Sequence, residues 1–203
     1  MIAQDVNIPE DLEIGLGLPE PLRAEAAEMF YEAFGQKIQP LFGSKESAVA
    51  IFRKAIDPEL TMVALCQDRF VGLAGLRYDD RSFLQFNLSI FTEELGTIKG
   101  TLSFFLYTSF KHRVRQGELF LDALIVKDSA RGQGIGTFLL QEIFEFARQN
   151  QFDRIRLDVA AANSSARRLY ERMGFTCFKT RSYLYLQRIV GATAIGMMQK
   201  QMN

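Results

Sequence analysis

The sequence predicts one α/β domain built on a mixed β-sheet. Its 203 residues suit a single globular domain with a substantial core, and no linker or internal repeat divides residues 1–203. The segment 118–175 alternates strand, helix, strand and helix, which indicates a right-handed crossover between parallel strands. A hairpin before this segment and alternating tracts after it add further strands to the sheet.

The first half of the chain predicts a helix, a hairpin and an aromatic segment. Apolar residues at helical spacing predict an amphipathic helix over 22–34, and the hairpin strands are Met62–Cys66 and Phe70–Arg77. Residues 83–116 are rich in phenylalanine, but their apolar run is shorter than the roughly 20 residues that span a bilayer. We therefore expect no membrane span, and a helix on the substrate side or at an interface. Contact with lipid is the alternative interpretation, and a homodimer is the partner that such a segment makes us expect.

The second half predicts the strand–helix alternation in detail. The strand 118–126 leads through a glycine-rich turn into a long helix. A second strand, 154–159, precedes a helix for which Asn163 is the expected N-cap and Gly174 the expected C′ residue. Two alternating tracts after residue 175 predict the last two strands.

Composition argues against several classes of function. The 24 lysines and arginines balance 24 acids, so no basic footprint indicates nucleic acid. One histidine and two separated cysteines provide neither a zinc cluster nor a disulfide framework, so we expect no metal and free thiols in a reducing cytoplasm. The first residues lack the basic and apolar regions of a secretory signal.

The turn after the first of these strands, DSARGQGIGTFLLQ, has three glycines within five residues. Such a turn predicts an anion site, because the first N–H groups of a helix are unpaired and its dipole favours negative charge. Glycine permits positive φ and a close approach of phosphate to the backbone, and Arg131 adds a positive charge. The glycine spacing fits neither a P-loop nor a dinucleotide-binding turn. A turn that is merely tight explains one or two glycines.

The letters RGQGIG resemble the [RQ]xxGx[GA] pyrophosphate loop of the GNAT superfamily of acyl-CoA-dependent N-acyltransferases, with Arg131, Gly134 and Gly136 in the defining positions. Downstream, NSSARRLYERMGF matches the family pattern NxxAxxLYxxxGF at Asn163, Ala166, Leu169, Tyr170, Gly174 and Phe175. The resemblance covers most of the chain and is most specific over 118–175. It implies a GNAT-like fold, in which a central, mostly antiparallel sheet contains a splayed parallel pair and has helices on both faces.

The resemblance also implies acetyl-CoA as the acetyl donor. Backbone N–H groups from Arg131 to Thr137 would hold the pyrophosphate, and the strand end before them would pair with the pantetheine arm. Asn163 would reach the pantetheine or the substrate in addition to capping its helix. The implied binding residues are Leu124, Ile125, Val126, Arg131, Gly132, Gln133, Gly134, Ile135, Gly136, Thr137 and Asn163.

In this family the acetyl group passes directly to a small-molecule or peptide amine. Tyr170 occupies the usual general-acid position, where a phenol protonates the leaving thiolate, and a backbone N–H near residues 124–126 is the implied oxyanion donor. The alternative for Tyr170 is a core aromatic side chain with a satisfied hydroxyl.

Two acids on the strand 118–126 are candidates for the base. Glu118 and Asp122 are four residues apart, so without a bulge both side chains leave the same face as Val126. Either acid could take the amine proton or bind a cationic substrate. We favour Asp122 over Glu118, because an idle acid buried in mid-strand would be costly.

Three other functions fit the same residues. One is an acyltransferase for a longer acyl-CoA or a hydroxyl acceptor, with the phenylalanine-rich segment helping to line an apolar pocket. Another is a CoA-binding module that has lost catalysis, against which the intact Tyr170 argues. The third is a nucleotide-binding module, which the glycine spacing disfavours.

Overall fold

A computed structural model describes residues 11–35, 41–108, 114–182 and 194–202. Within these ranges the strands are β1 (Leu12–Leu16), β2 (Thr61–Cys66), β3 (Arg69–Tyr78), β4 (Arg81–Ser82), β5 (Glu118–Val126), β6 (Arg154–Ala160), β7 (Thr176–Ser182) and β8 (Ala194–Gln201). They form one sheet in the order β1-β2-β3-β5-β6-β8-β7, and β4 pairs with β3. Only β5 and β6 pair in parallel among the described strands.

Helices cover both faces of this sheet. In the described ranges they are α1 (Arg23–Phe30), α2 (Lys45–Ala55), α3 (Leu88–Leu95), α4 (Thr97–Thr108), α5 (Ile135–Gln149) and α6 (Ser164–Arg172). One apolar cluster, which includes Phe52 and Phe91, lies between the sheet and α1 to α4. A second cluster, which includes Leu139 and Tyr170, lies between the sheet and α5 and α6. The predicted mixed α/β fold is confirmed.

The elements predicted from local pattern occur close to their expected bounds. The helix predicted over 22–34 is α1, which a π-helical turn extends to Gly35. The predicted hairpin is β2 and β3, and its two-residue turn has positive φ at Gln67 (50°) and Asp68 (58°), as the tight hairpin turns of twisted strands require. The two tracts predicted after residue 175 form β7 and β8. Residues 183–187 of the first tract and residue 193 of the second lie outside the described ranges.

The phenylalanine-rich segment forms two helices, α3 and α4, joined at Gly96. Asn87 caps α3, because its Oδ1 accepts a hydrogen bond from the Ile90 amide at 3.0 Å. Gly96 ends α3 with a φ of 78°, which a residue with a Cβ rarely adopts. No helix in the described part of the chain has the length and apolar character needed to cross a membrane.

The parallel strands β5 and β6 separate towards their carboxyl ends. Their pairing runs from Glu118 opposite Arg154 to Leu121 opposite Leu157. Beyond that point β5 continues to Val126 alongside β3, while β6 continues alongside β8. The splayed pair implied by the family resemblance is therefore present.

A β-bulge at Asp122 interrupts the pairing of β5 with β3. Leu121 lies opposite Leu76 and Ala123 lies opposite Gly75, so Asp122 is the extra residue on β5. An extra residue shifts the alternation of side chains by one position from there onward.

The bulge corrects one expectation about the two candidate acids. Leu121 and Val126 both pack in the cluster beneath α5 and α6, although an unbroken strand would place them on opposite faces. Glu118 and Asp122 instead lie on the opposite face of the sheet. This is the face that α1 to α4 cover. The expectation that Val126 shares their face is wrong, because the bulge lies between them.

Candidate active site

The glycine turn lies between β5 and α5, beside the opening between β5 and β6. Gly132 and Gly134 have φ values of 80° and 77°, and Gly134 is the left-handed N-cap of α5. Other residues adopt this conformation at a cost, so the turn needs glycine at both positions. The prediction of a glycine-dependent turn at the start of a helix is confirmed.

The backbone amides of this turn are arranged to receive an anion. The amides of Thr137 and Phe138 both donate to the Gly134 carbonyl, at 2.8 and 3.1 Å. The five preceding amides, Gly132 to Gly136, make no backbone hydrogen bond to the described part of the chain. A row of such donors at the positive end of a helix dipole fits a phosphate group.

Gly136 brings three elements together. A Cβ at this position would lie 3.3 Å from Leu169 Cδ2 in α6 and 3.9 Å from Val126 Cγ2 in β5. A side chain here would press on Leu169, so a small residue suits this position inside the first turn of α5. At the mouth of the turn, Arg131 forms an exposed ion pair with Asp128 at 2.8 Å.

Tyr170 lies in α6, on the face of the sheet that α5 covers. Its ring packs edge-on against Phe175, with a centroid separation of 5.7 Å. Burial raises the pKa of Tyr170 to about 12. The phenol therefore keeps its proton throughout the physiological pH range.

Asn163 caps α6, as the sequence predicts. Its Oδ1 accepts hydrogen bonds from the Ala166 amide at 3.1 Å and from Ser165 Oγ at 3.0 Å. At the other end of the helix, Gly174 has the predicted positive φ of 87°. These two residues fix the length of α6 and therefore the position of Tyr170 along it.

Asp122 lies in a network on the opposite face of the sheet from Tyr170. Its carboxylate forms a two-point ion pair with Arg77 of β3, in which Arg77 Nε donates to Oδ2 at 2.9 Å and Nη2 donates to Oδ1. Ser82 Oγ is 3.3 Å from Oδ2 and donates to it. The side chain of Asp122 is 14% exposed, so it is largely buried but still reached by solvent.

Sequence reasoning did not anticipate Arg77, Ser82 or Tyr107 as neighbours of Asp122. The Arg77 guanidinium lies 4.9 Å from the centroid of the Phe120 ring. Burial raises the pKa of Tyr107 in α4. The positive charge of Arg77 lowers this pKa, and the negative charge of Asp122 raises it. The only signal in the sequence was an arginine at the end of an apolar strand, and nothing local connects it to Asp122.

Glu118 lies at the start of β5, remote from the glycine turn at the other end of the strand. It is 2% exposed and is paired with Arg156 at 3.1 Å and Arg154 at 3.3 Å. The Arg115 amide also donates to Glu118, at 3.2 Å. These contacts tie the first residues of β5 to β6 and give Glu118 an evident structural role.

Replacing Glu118 tests this role. We expect Glu118→Gln to lower the free energy of unfolding by about 2 kcal/mol, because two partly buried arginines lose their counter-charge. Urea denaturation measures the change. Glu145→Gln is the matched control, since Glu145 pairs with Arg148 at an exposed position of α5 and should leave stability unaltered. Equal stability of the wild type and Glu118→Gln would contradict the prediction.

No group of three or more histidine, cysteine or acidic side chains in the described ranges is placed to hold a metal ion. What the site does offer is a row of backbone donors, an opening between two strands, and a polar side chain on each face of the sheet. Tyr170 and Asp122 are those side chains, and they lie on opposite faces.

Known proteins share parts of this sequence and its fold. The probable N-acetyltransferase camello of Xenopus laevis is 45% identical over 58 residues, which are 29% of this chain and 26% of that protein. The chain thus matches only about a quarter of the length of this curated relative.

Solved structures match almost the whole chain. An N-acetyltransferase from Staphylococcus aureus Mu50 superposes with a TM-score of 0.65 at 15% identity, covering 93% of this chain and 100% of that chain. Arabidopsis thaliana Naa50, in complex with the bisubstrate analogue CoA-Ac-MVNAL, gives a TM-score of 0.58 at 16% identity, covering 94% of this chain and 99% of that chain. At these identities the likeness shows a common fold.

The sequence profile of the Acetyltransferase (GNAT) family matches residues 22–175, about three quarters of the chain. This range extends from α1 through the glycine turn to the end of the helix that carries Tyr170. The chain therefore belongs to the GNAT acetyltransferase family.

Proposed function

We propose that this protein transfers an acetyl group from acetyl-CoA to a primary amine of a small molecule or peptide. The observation that carries the proposal is the opening between β5 and β6, which begins after Leu121 and Leu157 and lies beside the glycine turn. It joins an anion site to a gap in the sheet where an extended group can enter.

The residues around the opening fit acetyl-CoA. The amides of Gly132 to Gly136 would bind the pyrophosphate, with Arg131 adding charge. Backbone groups of Leu124, Ile125 and Val126 would pair with the pantetheine arm, because β6 has already left this part of β5. Asn163, Gln133 and Thr137 complete the proposed binding set. The complex of Naa50 with CoA-Ac-MVNAL supports a CoA ester and a peptide amine as the substrate classes.

Acetyl-CoA supplies an activated thioester, and the chain supplies the proton transfers. As the amine nitrogen bonds to the carbonyl carbon and the C–S bond breaks, the sulfur needs a proton. We assign Tyr170 to this step, because burial keeps its hydroxyl protonated. The thiolate of a thiol with a pKa of about 8.5 can also leave without help, so Tyr170 would accelerate the reaction without being indispensable.

We assign Asp122 to the amine, which it would orient or deprotonate. Of the two acids, Asp122 is nearer to the opening, whereas Glu118 is committed to Arg154 and Arg156. Arg77 engages both carboxylate oxygens of Asp122 and would act as a positioning residue.

The first experiment is a calorimetric titration with acetyl-CoA, followed by an assay of thiol release with a panel of primary amines. We expect micromolar binding and turnover with at least one amine. Acetyl-CoA binding without turnover would support a silent CoA-binding module. Preferential turnover of longer acyl-CoA esters or of hydroxyl acceptors would support the alternative acyltransferase. Absence of acetyl-CoA binding would contradict the proposal.

The role of Asp122 has its own test. We expect Asp122→Asn to lower kcat/KM for the amine about 30-fold and to leave the Kd for acetyl-CoA unchanged, because the carboxylate would act only on the acceptor. Steady-state kinetics at saturating acetyl-CoA measures the effect. Arg77→Gln should produce a similar but smaller loss, and Arg77→Lys should restore part of it by supplying the charge without the two-point geometry.

Asp57→Asn is the matched control for this test. Asp57 is also a largely buried acid paired with an arginine, Arg81 at 3.1 Å, but it lies at the 3-10 turn before β2. Its variant should lose stability and keep normal kinetics in the folded fraction. If Asp122→Asn behaves in the same way, Asp122 has only a structural role.

A further inference from the structure

The described helices cover only one face of the strands β6, β7 and β8. On that face Leu157, Val159 and Met198 are buried in the cluster beneath α5 and α6. No described residue of the three strands belongs to the cluster beneath α1 to α4. We call the side of β6, β7 and β8 that faces away from α5 and α6 the outer face. Its outermost strand is β7, in which every described residue is exposed.

One row of side chains crosses the sheet from the opening to the outer face. The pairing of β5 with β6 ends one residue before Asp122 and Asp158, so these two acids follow where the strands separate. Asp158 lies opposite Met197 of β8, and Met197 lies opposite Lys179 of β7. Residues directly opposite each other in paired strands share a face. The row therefore has two acids at the opening, a methionine in the middle and a lysine at the edge of the sheet.

A β-bulge in β7 turns Lys179 to the outer face. Cys177 lies opposite Met198, on the face of α5 and α6, and Lys179 would share that face in a regular strand. Phe178 is the extra residue, because Cys177 and Lys179 lie opposite two neighbouring residues of β8. Arg181 follows Lys179 by two positions and therefore also faces outward.

The bases of β7 differ from those of β6 in their partners. Arg154 and Arg156 lie nearer the amino end of β6, and both pair with the carboxylate of Glu118, at 3.3 and 3.1 Å. Lys179 and Arg181 make no ion pair with any residue in the described part of the chain. They are two positive charges, close together and exposed, on a strand that contains no acid.

The opening has the opposite balance along this row. The carboxylates of Asp122 and Asp158 both lie near the guanidinium of Arg77, whose pKa burial lowers and these two charges raise. Two acids therefore share one arginine where the acceptor amine would enter. A ligand that is positive at the opening and negative over β7 complements both ends of the row.

The length of the row selects the class of ligand. Three strand spacings separate Asp122 from Lys179, which is about 14 Å. An extended peptide covers about 3.4 Å per residue, so an N-terminal amine at Asp122 places the side chain of about the third residue within reach of β7. We propose that the acceptor is a peptide with a free N-terminus and an acidic residue at about the third position, and that Lys179 and Arg181 bind this acid. The inference rests on the proposed acetyl transfer, because it names the acceptor class of the same site.

Peptide binding tests this specificity without depending on turnover. Fluorescence anisotropy follows the full chain, with excess CoA, as it binds three peptides of equal length that are labelled at the C-terminus. The first has glutamate at the third residue, the second has glutamine there, and the third has the glutamate moved to the ninth. We expect the first peptide to bind at least about tenfold more tightly than either of the others, because a charge-assisted contact needs the acid over β7. Equal affinities, or no binding of the first peptide, would overturn the proposal.

Thiol release from acetyl-CoA with the same peptides separates this proposal from the acetyl transfer. We expect the first peptide to have at least about tenfold the kcat/KM of the second. Equal kcat/KM values for all three peptides would keep the transfer and overturn the acidic specificity. Selective binding of the first peptide without its acetylation would support the binding surface and contradict the transfer.

A pair of double variants assigns the specificity to β7. Lys179→Gln combined with Arg181→Gln should lower the affinity for the first peptide at least about tenfold and leave that for the second unchanged. Arg53→Gln combined with Arg69→Gln is the matched control, since it removes two exposed bases from α2 and from the start of β3. The control alters the net charge equally and should bind like the wild type. A wild-type preference in the Lys179 and Arg181 variant would overturn the assignment.

Discussion

Gly134→Asp is expected to weaken acetyl-CoA binding by at least about 100-fold. The change places a carboxylate at the N-cap of α5, among the amides that we assign to the pyrophosphate, and two unit charges a few ångströms apart repel by several kcal/mol even at a moderate dielectric constant. Isothermal calorimetry with folded protein measures the loss. Because the change affects donor binding, we expect a large increase in the KM for acetyl-CoA and a much smaller change in kcat at saturating acetyl-CoA.

The matched control for this variant is Gly134→Asn. Asparagine has nearly the same shape as aspartate and tolerates the left-handed conformation at least as well, so it reproduces the bulk and the strain without the charge. We expect Asn to weaken binding only about tenfold. Equal affinities of the Asn and Asp variants would mean that the turn does not bind an anion, whatever else it binds.

Tyr170→Phe is expected to lower kcat about 100-fold and to leave the Kd for acetyl-CoA unchanged. The variant removes the hydroxyl that would protonate the leaving sulfur, and positioned acids of this kind contribute about 100-fold or more. Burial raises the pKa of Tyr170 to about 12, so the wild-type rate should not fall between pH 8 and 10 through ionisation of this phenol. Rate measurements across that range, with a thiol-release assay, test both statements.

Tyr31→Phe controls for the loss of a buried phenol. Tyr31 is 6% exposed and belongs to the cluster beneath α1 to α4, on the other side of the sheet. Its variant should alter stability and leave kcat unaltered. A kcat for Tyr170→Phe within about twofold of the wild-type value would make Tyr170 a core residue and remove it from the mechanism.

The parts of the site that sequence could predict are those whose residues are close together in the chain. The glycine turn, the N-cap at Asn163 and the C′ residue Gly174 each depend on a few neighbouring residues, and the structure has all three. The ion pair between Arg77 and Asp122 joins residues 45 positions apart and depends on the pairing of β3 with β5. No local pattern contains that information.

Sequence analysis did not predict β1 or α2, and the two elements differ in how strongly their sequences indicate them. β1 is a five-residue edge strand whose side chains are mostly exposed or half-buried, so it lacks a strong alternation. α2 does carry a readable signal, because Ser44 caps it and its buried residues recur at helical spacing. The bulge at Asp122 could not be predicted either. The sequence of β5 alone is compatible with a regular pairing to β3 and with a pairing that leaves one residue extra.

That bulge gives β5 one residue more than its ladder with β3 uses. Leu121 and Ala123 already lie opposite the neighbouring residues Leu76 and Gly75, so a strand without Asp122 could pair with β3 in an unbroken ladder. Leu124 and Val126 would then stay in the cluster beneath α5, and Ile125 would stay in the cluster beneath α1 to α4. The extra residue therefore inserts a carboxylate into the strand, and it does so without turning the residues that follow it away from the faces that a regular, shorter strand would give them.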